Sequence, residues 1–360
     1  MPPPANLLHD GPHRRAMFDR ELFRLPLFPD TVRATPMIEP TRFPSSLAWR
    51  LALTAVVVRV VYAALVQSYS VFGLPESAQL REIYSQPQFL MPLLTTIATS
   101  AVFIGLTVWG AMHRWLRQKD TQAVDEPRKL FGTFVALLLI LLLAVSVATV
   151  YLRNVLMQYI MAHAGPADQF ITLGLFISAL AIALEILGAY LVVRIATRTV
   201  QPAGLAGGPA YEQRHAAWNS GLMILGWQLS VCIALGSYLQ AQSMSVGWLE
   251  YALGYLILPV IILMLCTQVC LKILPHPIGA ARQGRALAHG TLAFWLAQVL
   301  GVGMGFLAIR AMSWNQLIRV AESNVAAAVT LLVYAALLVL GCMVGKLALY
   351  TPSRRLASAH

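Results

Sequence analysis

Residues 48–69 read AWRLALTAVVVRVVYAALVQSY, and residues 217–238 read AWNSGLMILGWQLSVCIALGSY. Both runs open on Ala-Trp, close on Ser-Tyr at the same distance and are largely apolar between. Each is long enough to cross a bilayer, which takes about 20 mostly apolar residues in a helix. Two runs with the same punctuation suggest one membrane unit written twice.

The rest of the chain fits that reading. It is 58% hydrophobic and only 11% charged, where soluble domains carry about 25% charged residues. Barrel strands alternate apolar and polar residues, and these runs do not. Eight spans can be drawn, near 48–69, 92–114, 131–153, 170–194, 218–240, 249–273, 290–311 and 326–349. The pattern predicts that span 3 continues as a helix to about Met161.

Adding 169 to the residue number maps the first run onto the second. From span 2 onward the offset becomes 157, because the first outer loop, 70–91, is longer. With 157, Arg153 maps to Arg310, Gly188 to Gly345, and Ala144, Ser146 and Ala148 to Gly301, Gly303 and Gly305. Small residues let helix backbones approach closely in lipid, so both triplets are expected to be buried against other helices, as are Gly341 and Gly345. Four spans per copy bring both copies in from the same side, so the repeat is parallel, with its axis along the membrane normal.

The expected fold is therefore an all-α polytopic membrane protein with eight transmembrane helices, built from two tandem parallel four-helix repeats. Its parts are a basic tail (1–47), repeat 1 (48–199), a linker (200–216), repeat 2 (217–350) and a short tail (351–360). In the first tail Phe18, Leu22 and Leu25 share a helical face and suggest a short interfacial helix. The first apolar run begins 47 residues in, so no cleavable signal peptide is expected.

Charge placement orients the drawing. Lys and Arg crowd the N-terminal tail (Arg14, Arg15, Arg20, Arg24, Arg33, Arg42, Arg50), the 2–3 connection (Arg114, Arg117, Lys119, Arg128, Lys129) and the 4–5 connection (Arg194, Arg198, Arg214). The 6–7 connection (Lys272, Arg282, Arg285) and the C-terminal end (Lys346, Arg354, Arg355) continue the pattern. The opposite side holds only Arg81, Arg153, Arg310 and Arg319. The positive-inside rule then places both termini in the cytoplasm, N-in and C-in. The net charge of +11 is spread over every such segment, as orientation and anionic lipid require. No basic-aromatic groove marks nucleic acid as a partner. The short loops point to a bacterial inner membrane, with the lipid bilayer and membrane protein subunits as the expected partners.

Ionisable residues inside a membrane are candidates for function. Two lie deep: Arg59 in span 1 and Glu185 in span 4. Each is roughly 15 Å from the cytoplasmic edge at 1.5 Å per residue, so the two are expected to pair. The pair reads either as a solute or ion determinant or as a salt bridge fixing helix order. In the second copy Arg59 maps to Gln228, still polar, and Glu185 to Cys342. Arg153 and Arg310, at the outer ends of spans 3 and 7, are candidate contacts for an anion or lipid phosphate. They also suit a plain role as headgroup anchors.

Other chemistries find no support in the sequence. The eight histidines fall in tails, loops or span ends, which argues against a bis-His haem. Cys266 and Cys270 share a face of span 6, but two thiols make a poor metal site, so neither metal nor cofactor is expected. HExxH, Walker and GxSxG patterns are absent, and the sequence favours a non-enzyme. Three classes remain: a transporter or permease component for a small or amphipathic solute, with its site between the copies; a non-catalytic scaffold subunit of a larger complex; and, less favoured, an enzyme acting on lipid.

Cysteine labelling at Gln122 and Gly165 should report opposite sides of the membrane. The same side for both would overturn the eight-span drawing.

Overall fold

The computed structural model describes residues 47–73, 81–82, 84–162, 168–203, 209, 211–241, 247–275, 283–321 and 323–350. The interfacial helix expected around Phe18, the C-terminal tail and much of the 200–216 linker lie outside the described residues. Among the described residues, eight helices are long and apolar enough to cross a membrane.

Spans 1 to 5 are α1 (Leu47–Ser68), α2 (Pro87–Gln118), α3 (Pro127–Ala162), α4 (Asp168–Ala196) and α5 (Gln213–Ala241). Span 6 starts as α6 (Trp248–Ala252), passes through a π-turn (Leu253–Ile257) and continues as α7 (Leu258–Ile273). Span 7 is α8 (Gln283–Ala311) and span 8 is α10 (Asn324–Tyr350). Between them lies α9 (Trp314–Ala321), a short helix that the sequence reading passes over as loop. Span 1 ends in a π-turn at Tyr69–Gly73, so part of the presumed outer loop is helical. Span 3 runs on to Ala162, and span 7 starts seven residues earlier than the hydropathy pattern places it.

Packing follows a simple scheme. In the first half, span 1 packs on spans 2 and 3, and span 4 packs on spans 2 and 3. In the second half, span 5 packs on spans 6 and 7, and span 8 packs on spans 6 and 7. Each half has its own apolar core. Leu51, Ile104, Phe134, Leu138 and Ala189 centre the first; Ile224, Ile262, Phe294 and Leu338 centre the second. The halves meet chiefly through span 2 against span 5, and span 2 also touches the outer part of span 6. A two-fold relation would add an equal contact of span 6 with span 1, and among the described residues those two make none comparable.

The backbone approaches closest in the second half. A Cβ at Gly341 would collide with the backbone of Ala293, and one at Gly290 with the backbone of Ser220. One at Gly345 would run into the His289 ring. Bare glycine faces bring spans 7 and 8, and spans 5 and 7, into van der Waals contact. In lipid such contact is a main source of helix association.

The two small-residue triplets behave otherwise, which corrects the sequence reading. Ala144, Ala148, Gly303 and Gly305 are exposed, and Gly301 is only half-buried. A Cβ at Gly303 or Gly305 would meet nothing within 4 Å. The physical reason is helical geometry. At 3.6 residues per turn, residues two apart point in nearly opposite directions, which parts Ser146 from Ala144 and Ala148 on span 3; on span 7 the buried residues stop at Ala297, so Gly303 and Gly305 both lie beyond the packed part of the helix. Ser146 turns inward, where its Oγ accepts a hydrogen bond of 3.0 Å from the Tyr62 hydroxyl. Ala144 and Ala148 turn out.

At one end of the bundle the chain is pinned outside the helices. Span 2 closes with Asp120 in the left-handed region (φ 49°). The Thr121 N–H bonds back to the Leu116 carbonyl at 3.1 Å, and the Asp120 N–H to that of Arg117 at 3.3 Å. This double return is the Schellman ending of a helix. It sends the chain into β1 (Ala123–Val124), which pairs antiparallel with β2 (Pro202–Ala203) beyond span 4. The Thr121 hydroxyl donates to the Ala203 carbonyl at 2.6 Å, and Asp125 Oδ1 accepts from the Gln201 N–H at 2.9 Å. The connections after spans 2 and 4 are thereby tied together.

Gly341→Val should destabilise the folded protein by about 1–3 kcal/mol through overpacking, while Gly303→Val should leave it within about 0.5 kcal/mol. Thermal unfolding of both variants in detergent micelles checks this, and equal effects would contradict the assignment of the tight seam.

Candidate functional site in the first half

The inward face of span 1 carries Ala48, Leu51, Ala52, Ala55, Arg59 and Tyr62, spaced by three or four residues as one helical stripe requires. Ala48, Ala52 and Ala55 are small and buried, which lets span 2 draw near. On span 2 the facing stripe is Ser100, Ile104 and Val108; on span 4 it is Glu185, Ala189, Val192 and Ala196. The three polar members meet at one level.

Arg59 Nε donates to Glu185 Oε2 at 3.2 Å and to Ser100 Oγ at 2.8 Å. The Ser100 hydroxyl donates to the same carboxylate oxygen. The two charged side chains are only 12% and 8% exposed, and Ser100 is wholly buried. The structure thus brings Arg59 and Glu185 together across 126 positions of sequence. A charged side chain at mid-membrane costs about 3 kcal/mol on insertion scales, and pairing plus a hydroxyl donor offsets that cost on the carboxylate side.

Ser100 escapes a reading of the sequence. Span 2 carries Thr95, Thr96, Thr99 and Ser100, and hydroxyls in membrane helices commonly bond the carbonyl four residues back. Thr95, Thr96 and Thr99 do so, onto Met91, Pro92 and Thr95. Ser100 is the member of the group that reaches across to another helix. Only its facing partners could reveal that.

Gln228 lies elsewhere. Its Oε1 accepts from the Tyr334 hydroxyl at 2.5 Å, and that hydroxyl accepts from Gln298 Nε2 at 2.7 Å. The second half therefore holds a neutral network linking spans 5, 7 and 8. The sequence reading expects a site between the copies; the structure instead puts each polar cluster inside one half.

The second half also buries His289, which sequence position alone assigns to a span end. Its Nε2 lies 2.9 Å from the Cys342 carbonyl and its Nδ1 3.1 Å from Ser220 Oγ. A carbonyl only accepts, so Nε2 carries the proton, while the Ser220 hydroxyl beside Nδ1 donates its own proton to the Ala286 carbonyl at 2.9 Å. The neighbouring Gly290 and Gly345 were the signal that this level of span 7 is crowded. Cys270 and Cys342 bring their sulfurs to 4.0 Å. Among the described residues, no group of three or more His, Cys, Asp or Glu side chains is arranged to hold a metal.

Arg153 and Arg310 are exposed and not alike in setting. Arg153 sits nine residues before the end of its helix, while Arg310 occupies the last turn of its own, with the guanidinium carbon 4.8 Å above the Phe306 ring centre.

No protein-family model matches the chain, and no curated protein or solved structure matches it.

Arg59→Ala should destabilise the protein by about 3–5 kcal/mol, because it strands a buried carboxylate. Gln228→Leu, which removes one neutral interhelical hydrogen bond, should cost about 0.6–1.7 kcal/mol. Denaturant titration of the two variants in mixed micelles compares them directly, and an equal cost would argue against a buried charge pair.

Proposed function

We propose that this multi-pass membrane protein is a transporter or permease component for a small or amphipathic solute, and that Arg59, Ser100 and Glu185 form its polar determinant. The observation that carries the reading is the contrast between the two halves. Spans 5, 7 and 8 are joined by neutral groups, Gln228, Tyr334 and Gln298. Spans 1, 2 and 4, in a half with the same helix adjacencies, hold a charged pair. A buried ion pair can often be replaced by apolar residues without loss of stability, so packing alone does not call for one. Charge at that depth has a use when something charged or strongly polar approaches it.

The wider architecture belongs to the same proposal. The matching helix adjacencies in the two halves, and the shared Ala-Trp and Ser-Tyr punctuation, support two tandem parallel four-helix repeats. The joint through spans 2 and 5 favours a side-by-side association of the repeats over a two-fold one. The basic connections support N-in, C-in topology in a bacterial inner membrane. The chain is read as a non-enzyme that meets bilayer lipid and partner subunits, not nucleic acid.

A scaffold role is the second reading, and one observation favours it. Ala144 and Ala148 on span 3 and Gly303 and Gly305 on span 7 are exposed on the outside of the described bundle. Small residues on such faces would admit a further helix to close packing.

The double variant Arg59→Leu with Glu185→Leu separates the two. Reconstituted into liposomes on a solid-supported membrane, wild-type protein should give a charge movement on addition of at least one member of a panel of small organic cations, anions and sugars. The double variant should keep wild-type thermal stability within a few degrees and lose that signal. A retained signal would make the pair structural. Silence of the wild type towards the whole panel, with intact folding, would turn the balance to the scaffold.

A further inference from the structure

We infer that a cleft between the ends of spans 2 and 4 is a binding site for a phosphate group. The cleft has a volume of ≈ 480 Å³ and is lined by Arg114, Trp115 and Gln118 from span 2 and by Tyr190, Arg194 and Arg198 from span 4 and the turn after it. That volume lies in the range of small-molecule sites. Its lining holds three guanidinium groups and no carboxylate. Among the described residues, no Asp or Glu forms an ion pair with any of the three arginines. The inference is separate from the transport reading and needs only the expected placement of this end of the bundle at the cytoplasmic headgroups.

The sequence builds the cleft from two short helical stripes. Arg114 and Gln118 are four apart on span 2, with Trp115 beside them. Tyr190 and Arg194 are four apart on span 4, and a 3-10 turn at Thr197–Thr199 carries Arg198 on round. Each stripe alone is the ordinary basic end of a helix, where cations suit the negative C-terminal pole. That explains a cation at each end, and it predicts groups that spread outward into water. It does not explain why the two stripes line one cavity.

The strap described above adds the second element. Pairing of β1 with β2, and the hold of Asp125 on the Gln201 N–H, lock the segments that follow the two helix ends. The backbone that follows each wall of the cleft is thereby tied to the other, which keeps the two arginine-bearing helix ends together although their like charges repel. Preorganised guanidinium groups lose little on binding a tetrahedral anion, since their planar forks match its oxygens in pairs. The helix poles oppose an anion here, so the arginines must supply the attraction. Trp115 and Tyr190 offer the amphipathic rings that sit at headgroup level. Basic pockets between transmembrane helices on the cytoplasmic side are suited to lipid phosphates.

The phosphate can come on a lipid or free in solution, and one experiment tells the sources apart. Full-length protein is placed in phosphatidylcholine nanodiscs with or without phosphatidylglycerol, and retained lipid is counted by native mass spectrometry while inorganic phosphate is titrated in. Wild-type protein should retain phosphatidylglycerol selectively. Arg114→Gln with Arg194→Gln and Arg198→Gln should weaken that retention roughly 100-fold, at about 1 kcal/mol for each cation. The control Arg117→Gln with Lys119→Gln and Arg128→Gln removes equal charge from the same end of the bundle outside the cleft, and should weaken it far less. Displacement of the lipid by millimolar phosphate identifies a site that accepts the free anion as well; resistance to phosphate identifies a lipid site. Equal losses in the two triple variants, or no selectivity in the wild type for either form of phosphate, would overturn the inference. Should the first triple variant not fold, the three single variants carry the same test, each with an expected loss of roughly fivefold.

Discussion

Apolar side chains gain little by leaving lipid for the interior of a membrane protein, so this bundle holds together where backbones come close and where polar groups meet. Both means are visible, and the halves weight them differently. In the second half, Gly290, Gly341 and Gly345 remove the side chains that would keep spans 5, 7 and 8 apart. In the first half, contact of spans 1, 2 and 4 converges on a charged cluster, with Ala52 and Ala55 providing the room.

This difference bears on function. The neutral network around Gln228 and the charged one around Arg59 occupy halves of like packing, so each serves as a measure of the other. Where a four-helix unit is held by glycine seams and amide–phenol hydrogen bonds, stability is met without charge. The cluster of Arg59, Ser100 and Glu185 therefore stands out as chemistry added to a scaffold of this kind. It is also well satisfied, for the carboxylate oxygen accepts from both Arg59 and Ser100. Any solute that engages it must compete with those bonds.

Much of this was legible along the chain. Eight apolar runs become eight helices long and apolar enough to cross a membrane, a length the hydrocarbon core sets. The matched depths of Arg59 and Glu185 pointed to each other, because rise along a helix is constant. The small-residue triplets mislead: small residues four apart do admit a neighbouring helix, but the face that carries Ala144 and Ala148 is turned outward, and Gly303 and Gly305 lie where span 7 is exposed. His289 was misplaced because the helix of span 7 extends seven residues beyond its apolar stretch, and hydropathy marks the stretch, not the helix.

The sequence by itself determined the helical class, the number of helices long and apolar enough to cross a membrane and the position of each charge along its helix, since these follow from apolar length and from spacing along one helix. Only the tertiary structure decided which helices touch. It set Ser100 beside the ion pair and Gln228 apart from it, turned Gly303 outward and Gly341 inward, and brought Arg114 and Arg198 to the lining of one cleft. Those outcomes depend on the rotation of each helix about its own axis and on its choice of neighbour. Neither is encoded at one position; both emerge when all the contacts are satisfied at once.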